Sequence, residues 1–333
     1  MKVKVISFNS YKGGACRTTT CYNTLPYLAK ELGATARQPI IVVDCDLDSM
    51  GLTNIFNANI KKDGRREKLP YSAKHMFIDD DHGINAEMRN SDFSDVSEED
   101  YFKNFEKVGE KLGLEEDGSV LFLGVDRRES AISDKDYDDK EKFCQSTPLA
   151  RLKTILDHMD ESKQPKAIVL DCAAGVQITT LAVLRLIDYS VMCMRPTLQF
   201  RIGTRDYLYN MLPVRLPRRR QERNIILLPT SVAQSEYVEG ELAADLEQLR
   251  NETICDIREN IVDFLIDASH KEELHYSLIP DMAEFDCFGL PEIERFKWEE
   301  CLLYKREELT EQEKALRDRY VMLASILAKN DGE

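Results

Sequence analysis

Apolar runs separated by polar stretches set the outline of the chain. Short apolar segments occur at residues 3–8, 39–44, 119–124, 167–171, 188–194, 224–228 and 277–279. Each has the length of a strand, and several are apolar without alternation, as in a parallel sheet buried on both faces. The pattern predicts an α/β fold with a doubly wound, mostly parallel sheet flanked by helices.

Helical spacing of apolar residues fills most of the intervals between the predicted strands. It predicts helices at residues 17–32, 150–159, 181–187, 203–212, 240–275 and 307–329, and a partly helical stretch at 98–112. Pro26 is expected to kink the first helix, and Gly33 to end it. Residues 298–304 are expected to form core or interface on a helix. The closing helix is expected to pack on the body or on a partner chain.

A glycine turn joins the first predicted strand to the first helix. Its sequence is Tyr-Lys-Gly-Gly-Ala-Cys-Arg-Thr-Thr-Thr, residues 11–20. Gly13 and Gly14 allow backbone N–H groups to turn inward around an anion, and a helix N-terminus adds further donors and positive potential. Arg17 supplies a cation, and the Thr18 hydroxyl suits Mg²⁺. This stretch predicts a phosphate-binding loop; the alternative is an ordinary glycine turn.

The loop differs from the standard phosphate-loop pattern G-x-x-x-x-G-K-[ST]. It resembles the deviant form, roughly K-G-G-x-G-K-T-[TS], of the ParA/MinD-type partition ATPases. Five residues match that form: Lys12, Gly13, Gly14, Thr18 and Thr19. Two residues depart from it, because Cys16 replaces a glycine and Arg17 replaces the phosphate-binding lysine. The resemblance implies the P-loop NTPase fold.

Two predicted strands end in aspartates. The apolar run at 39–44 ends in Asp44, Asp46 and Asp48, and the run at 167–171 ends in Asp171. Ligands of open α/β sheets bind at the carboxyl ends of the strands. By position in the family, Asp46 would orient the attacking water and help hold the metal shell, and Asp171 would hold Mg²⁺ through water. The alternative is a set of ordinary loop acids.

The family resemblance implies a switch ATPase that uses ATP and Mg²⁺, dimerises on Mg-ATP, hydrolyses ATP slowly and controls a partner protein. It assigns catalytic roles to Lys12, Asp46 and Arg17, with Lys12 reaching the partner subunit's phosphates. Metal contacts fall to Thr18, Asp46 and, through water, Asp171. The nucleotide-binding set comprises Lys12, Gly13, Gly14, Ala15, Cys16, Arg17, Thr18, Thr19 and Thr230. Thr230 and residues 280–281 would lie near the adenine base.

Two polar stretches leave alternatives open. The acidic insertion at residues 57–118 is either a solvated surface or a partner-binding element. The arginine cluster at 215–223 either contacts DNA or acidic lipid, or balances nearby acids; its lack of interleaved aromatic residues favours the second. The alternative functions are therefore a nucleotide-binding regulator with little hydrolysis and a DNA-partition ATPase.

Composition narrows the class of protein. The 333 residues, 43% hydrophobic, suffice for a single P-loop domain with a mainly helical part at 240–333. The net charge of -15 opposes non-specific DNA binding over the whole surface. The nine cysteines form no C-x-x-C pair, which favours reduced thiols. With no apolar run long enough for a membrane span and no signal peptide evident, we expect a cytoplasmic protein.

Overall fold

The computed structural model of the chain describes residues 3–56, 72–77, 102, 105–126, 148–211, 224–233, 241–270, 277–279 and 289–329. These residues fall into two compact units. The first comprises Met1–Ser7 and Ala29–Ile187, and the second comprises Phe8–Leu28 and Asp188–Glu333. The arginine cluster at 215–223 and residues 280–281 lie outside the described residues, as does much of the acidic insertion.

The first unit is built on strands in the order β3-β4-β2-β5-β1. These are β1 (Lys4–Asn9, which continues into the second unit), β2 (Ile40–Cys45), β3 (Glu106–Lys107), β4 (Val120–Leu123) and β5 (Ala167–Cys172). Strand β2 pairs in parallel with β4 and β5, and the two-residue β3 pairs antiparallel with β4. All residues of β2, β4 and β5 are buried, which explains their apolar runs.

The second unit carries three parallel strands in the order β6-β7-β8. They are β6 (Tyr189–Met194), β7 (Asn224–Pro229) and β8 (Ser277–Ile279). The strands alternate along the chain with helices, so the expected mostly parallel sheet with flanking helices is confirmed.

Eight α-helices have both of their ends in the described residues. They are α1 (Arg17–Glu31), α2 (Gly51–Ile55), α3 (Pro148–His158), α4 (Ile178–Leu184), α5 (Leu198–Asp206), α6 (Glu241–Ile257), α7 (Phe264–His270) and α8 (Glu311–Ala328). Two π-helical segments, Tyr207–Met211 after α5 and Arg258–Asp263 between α6 and α7, continue these helices. Among the described residues, no helix is both long and apolar enough to cross a membrane.

Local sequence signals explain the ends of two helices. Gly33 follows α1 with φ +59°, and Ala34 N–H donates to the carbonyl oxygen of Ala29 at 2.8 Å, which closes the helix as the glycine predicts. Helix α8 begins with a capping box, in which Thr310 and Glu313 each accept from the other's backbone N–H.

Two predicted helical stretches hold only in part. Within 98–112, Phe102 is helical, whereas Glu106–Lys107 is the edge strand β3 and Glu110–Leu112 is one 3₁₀ turn. Residues 298–304 are not an α-helix; Leu302 and Leu303 are buried as expected, whereas Trp298 is 81% exposed. The predicted helix at 203–212 begins earlier, at Leu198.

Candidate functional site

The turn between β1 and α1 presents an open backbone. Gly14 has φ +85°, a left-handed conformation that glycine adopts without steric cost. A β-carbon added at Gly13 or Gly14 would meet no atom within 4 Å, so space lies beside both residues. Helix α1 begins three residues later, at Arg17, and the first turn of a helix directs N–H groups outward. The turn therefore has the geometry of an anion-binding loop.

Cys16 also has a left-handed backbone, with φ 52°. A residue with a β-carbon is strained there, and this is the position at which the deviant loop pattern carries glycine. Ser231, directly after β7, has φ 54°, and its Oγ lies 3.5 Å from the Cys16 Sγ. Cys16 is therefore left-handed at the position where the pattern carries glycine.

The predicted cations occupy different surroundings. Arg17 is buried, and its Nη2 donates to the Thr18 Oγ1 at 3.3 Å. Lys12 is exposed, and its Nζ donates to the Oε1 of Gln199 on α5 at 2.9 Å. Arg17 is therefore a fixed charge beside the loop, whereas Lys12 lies on the surface of the unit.

Thr230 is hydrogen-bonded to the backbone of the loop. Its side chain is fully buried, and its hydroxyl lies 3.1 Å from the carbonyl oxygen of Ala15 and 3.2 Å from that of Met194. Its backbone N–H donates to the Met194 carbonyl oxygen at 2.8 Å. These contacts fix the loop relative to β6 and β7. The predicted contact of Thr230 with a base stays a prediction.

A cavity of about 150 Å³ adjoins the loop within the second unit. The first turns of α1 line one side through Thr19 and Thr20. The segment after β8 and helix α8 line much of the remainder. The lining residues in these regions include Leu290, Pro291, Glu292, Ile293, Phe296, Lys297, Leu316 and Tyr320. A group attached to an anion in the loop would find this cavity beside it.

Asn23 ties the C-terminal segment to α1. Its Nδ2 donates to the carbonyl oxygens of Cys301 (3.0 Å) and Thr19 (3.1 Å), and its Oδ1 accepts from Leu303 N–H at 3.0 Å. The Asn23 side chain is fully buried. One turn later, the rings of Tyr27 and Tyr304 meet edge to face at 5.2 Å. These contacts hold residues 301–304, which follow the cavity-lining residues 290–297 in the chain, against α1.

In the first unit, two predicted aspartates are neighbours. Asp44 and Asp171 are partners in the parallel register of β2 and β5, and both are fully buried. Burial, followed by the charge of Asp171, raises the pKa of Asp44 to about 7, although hydrogen bonds from Thr53 and Asp46 oppose the shift. A cation would offset the repulsion between these carboxylates.

Asp46 and α2 are connected through Asp44. The Asp46 N–H donates to Asp44 Oδ1 at 3.1 Å, and Asp46 itself accepts from the N–H of Ser49 at 3.1 Å. Thr53 on α2 donates its N–H and its hydroxyl to Asp44 Oδ2 at 2.9 and 2.8 Å. The same hydroxyl accepts from Val125 N–H at 3.0 Å. A buried network thus links the end of β2 to α2 and to the loop after β4.

In the first unit, Asp44, Asp46 and Asp171 offer carboxylate oxygens, the ligand type that Mg²⁺ prefers. Among the described residues, no group of three or more His, Cys, Asp and Glu side chains is arranged to hold a metal. Mg²⁺ commonly takes only one or two carboxylates, with the remaining positions filled by water and substrate phosphates.

The sequence predicts the loop and the aspartates as site residues but not the residues that contact them. The loop residues with Thr230 lie in the second unit, and the three aspartates lie in the first. Ser231, Asn23, Thr53 and the cavity residues Leu316 and Tyr320 were not predicted. Ser231 adjoins Thr230 and could have been included, whereas Leu316 and Tyr320 look like ordinary apolar helix positions.

Comparison with known proteins gives structural matches only. No protein-family model matches the chain, and no curated protein sequence matches it. A structure of McdA from Cyanothece with ATP matches at TM-score 0.53 and 12% identity, over 97% of this chain and 96% of that chain. Apo McdA from the same source matches at TM-score 0.51 and 13% identity, over 95% of this chain and 99% of that chain.

A structure of MinD from Pyrococcus horikoshii with Mg-ADP is also similar, at TM-score 0.47 and 14% identity, over 97% of this chain and 94% of that chain. The two McdA structures, each matched at a TM-score above 0.5, show the fold. The chain therefore has the P-loop fold shared by the ParA/MinD/McdA ATPases, which confirms at the level of the fold the resemblance found in the phosphate loop.

Proposed function

We propose that the protein is a Mg²⁺-dependent ATPase of the ParA/MinD kind, a slow switch whose nucleotide state controls a partner protein. One observation carries the proposal: the turn before α1 holds two left-handed residues, Gly14 and Cys16, at an open backbone face directly preceding a helix. This is the arrangement in which backbone N–H groups bind phosphate.

Each predicted site residue has a proposed role in hydrolysis of the terminal phosphate to give ADP and phosphate. The backbone of residues 13–19 binds the phosphates, and Arg17 and Lys12 offset the charge that develops as the bond to the terminal phosphorus breaks. Asp46 accepts a hydrogen bond from the attacking water and orients it. Bound Mg²⁺ would neutralise phosphate charge, held by the Thr18 hydroxyl, by Asp46 and, through water, by Asp171.

The cavity beside the loop is the proposed nucleoside pocket. It shares Thr19, Thr20 and Cys16 with the loop, so a nucleotide bound by its phosphates would reach it without any rearrangement of the second unit. Thr230 lines the same cavity, although its hydroxyl is directed to backbone oxygens. In this role Thr230 positions the nucleotide-binding loop.

Lys12 is the proposed link between nucleotide and dimer. Its side chain is exposed, and its present partner is Gln199 on the surface helix α5. An exchange of that exposed hydrogen bond for a phosphate of the partner subunit would cost little, because hydrogen bonds in water are worth only about 1 kcal/mol net. Dimerisation would therefore depend on the nucleotide that supplies the phosphate.

A nucleotide-binding regulator with little hydrolysis is the second candidate. Arg17 donates to the Thr18 hydroxyl, the group proposed to contact Mg²⁺. The planar guanidinium presents its N–H donors in a different geometry from the ammonium of a lysine. The contact between Arg17 and Thr18 favours slow ATP hydrolysis. The other alternative, a DNA-partition ATPase, would depend on the arginine cluster at 215–223.

Replacement of Lys12 by Ala tests the switch. We expect the variant to bind ATP nearly as well as the wild type, because the loop backbone is intact, but to lose ATP-dependent dimerisation and most phosphate release. Sedimentation with Mg-ATP and a phosphate-release assay measure the two effects. Lys314→Ala, on the surface of α8, is the matched control. Normal dimerisation and hydrolysis by Lys12→Ala would contradict the proposed mechanism.

A further inference from the structure

A buried carboxylate lies at the start of α8 and has no role in the proposed hydrolysis. The side chain of Glu313 is only 3% exposed. One of its oxygens, Oε2, accepts from the N–H of Thr310 at 2.9 Å within the capping box of α8. The other oxygen, Oε1, is directed to charged groups. A buried carboxylate requires such groups, because burial of an unpaired charge is very unfavourable.

Two arginines from the segment before α8 supply the opposite charge. Arg306 donates through Nη1 to Glu313 Oε1, and the Nη1 of Arg295 lies 3.5 Å from the same oxygen. Arg295 also pairs through Nε with Glu299 at 3.4 Å, but both side chains of that pair are exposed, where an ion pair contributes little. One buried carboxylate thus holds two positions of the preceding segment against the first turn of α8.

The face of α8 that carries Glu313 also lines the cavity beside the phosphate loop. Leu316 and Tyr320 follow Glu313 at helical spacing, which places the three side chains on one side of the helix. All three are buried. Leu316 and Tyr320 line the cavity of about 150 Å³ that is the proposed nucleoside pocket. Glu313 is therefore the first residue of the cavity-lining face.

The segment that carries Arg295 lines the same cavity. Phe296 and Lys297 are lining residues, and with Arg295 they belong to one 3₁₀ turn, Glu294–Lys297. A single 3₁₀ turn has few and poorly aligned hydrogen bonds of its own, so its position depends on contacts with neighbouring elements. The pair of Arg295 with Glu313 is such a contact, and it joins two elements that line the cavity.

We propose that Glu313 is a positioning residue for the nucleoside: its charge fixes the 3₁₀ turn against α8 and so keeps the cavity in the shape that receives the nucleoside. This inference rests on the proposed function, because it takes the cavity as the nucleoside pocket. A buried ion pair adds little net stability compared with apolar residues of the same size, whereas it can select one geometry. Loss of the charge should therefore weaken binding of the nucleoside and spare binding of the phosphates.

Glu313→Gln tests the charge with little change in shape. Glutamine also suits this position of a capping box, so α8 should begin as in the wild type. Titration calorimetry with Mg-ATP and with Mg-tripolyphosphate separates the two parts of the site, because tripolyphosphate has no nucleoside. We expect Glu313→Gln to bind ATP at least about tenfold more weakly than the wild type and to bind tripolyphosphate with unchanged affinity.

Variants of the partner residue and of a neighbour complete the test. Arg295→Gln, at an exposed position that should not endanger folding, should weaken ATP binding as Glu313→Gln does. The double variant should bind ATP no more weakly than either single variant, since both remove the same interaction. Lys314→Gln, which removes only a surface ion pair with Glu311, is the control and should keep both affinities. Thermal unfolding monitored by circular dichroism verifies that each variant is folded.

Three results would overturn this inference while the phosphate loop keeps its proposed role. Equal affinity of the wild type for ATP and tripolyphosphate would show that the cavity receives no nucleoside. Wild-type affinity for ATP in folded Glu313→Gln and Arg295→Gln would show that the ion pair does not position it. A parallel loss of affinity for both ligands would give Glu313 a general structural role. Binding of neither ligand by the wild type would instead contradict the proposed function, and this inference with it.

Discussion

At the residue scale, Cys16 has a backbone conformation that strains any side chain with a β-carbon. Its φ of 52° lies in the left-handed region, which costs such residues about 1–2 kcal/mol. Cys16→Gly removes this strain but adds about 0.5–1 kcal/mol of unfolded-state entropy. We therefore expect Cys16→Gly to change the free energy of unfolding by less than about 1 kcal/mol in urea titrations.

A β-branched residue at position 16 should behave differently. Cys16→Val combines the left-handed backbone with a stiff side chain, so we expect a loss of about 1–3 kcal/mol. Cys255→Val, on the exposed face of α6, is the control and should change stability little. A Cys16→Val protein as stable as the Cys255→Val protein would show that the loop does not require a left-handed residue at position 16.

The raised pKa of Asp44 leads us to expect an unusual dependence of the free energy of unfolding on pH. Its pKa is about 7 in the folded protein, against an ordinary 3.8, so the folded state binds more protons between these values. The free energy of unfolding contributed by this group therefore falls as pH rises from about 4 to about 7. In nucleotide- and metal-free protein, Asp44→Asn should remove that fall.

Urea titrations at pH 5 and pH 8 measure this effect. The exposed Asp206→Asn serves as control and should keep the pH dependence of the wild type. A folded Asp44→Asn protein whose stability varies with pH as the wild type does would show that Asp44 is ionised throughout the range.

Chemistry at single positions was more predictable than the contacts that support it. Gly13, Gly14 and Thr18 follow a local pattern, and Asp44 and Asp171 end apolar runs, so sequence alone marked them. The bond from Thr230 to Ala15 joins residues 215 positions apart, and that from Asn23 to Cys301 joins residues 278 apart. No local pattern encodes such pairs, which depend on the complete fold.

At the element scale, buried parallel strands were the most readily predicted. Continuous apolar runs such as Ile40–Cys45 and Ala167–Cys172 leave few other interpretations. The differences fell on residues 98–112 and 298–304. Glu106–Lys107 forms a strand because it pairs with β4 at the edge of the sheet. In the segment 298–304, the Cys301 carbonyl oxygen and the Leu303 N–H are hydrogen-bonded to the Asn23 side chain instead of to groups within a helix.

We expect the hydrogen bonds of Asn23 to hold residues 298–304 against α1. Asn23→Ala leaves the Leu303 N–H and the Cys301 carbonyl oxygen without this partner, at a cost of about 1–3 kcal/mol for each buried group. We expect a lower melting temperature and faster hydrogen exchange at Leu303. The exposed Asn251→Ala on α6 is the control and should be nearly neutral. Unchanged exchange at Leu303 would show that other contacts hold the segment.

At the scale of the whole molecule, the net charge and the proposed ligand have the same sign. The chain carries a net charge of -15, yet its proposed phosphate site depends on Arg17, a buried cation, and on backbone N–H groups. Local donors can bind an anion in an acidic protein because the field of distant surface charges is screened within about 10 Å at 0.1 M ionic strength.

The central claim is that the loop at residues 12–19 binds the phosphates of ATP. Titration calorimetry of the wild type with Mg-ATP tests it most directly, with Arg17→Gln as the loop variant and the exposed Arg37→Gln as its control. The account predicts saturable binding by the wild type and Arg37→Gln, and at least about tenfold weaker binding by folded Arg17→Gln. No binding heat at saturating Mg-ATP at two temperatures, or equal affinity in all three proteins, would contradict it.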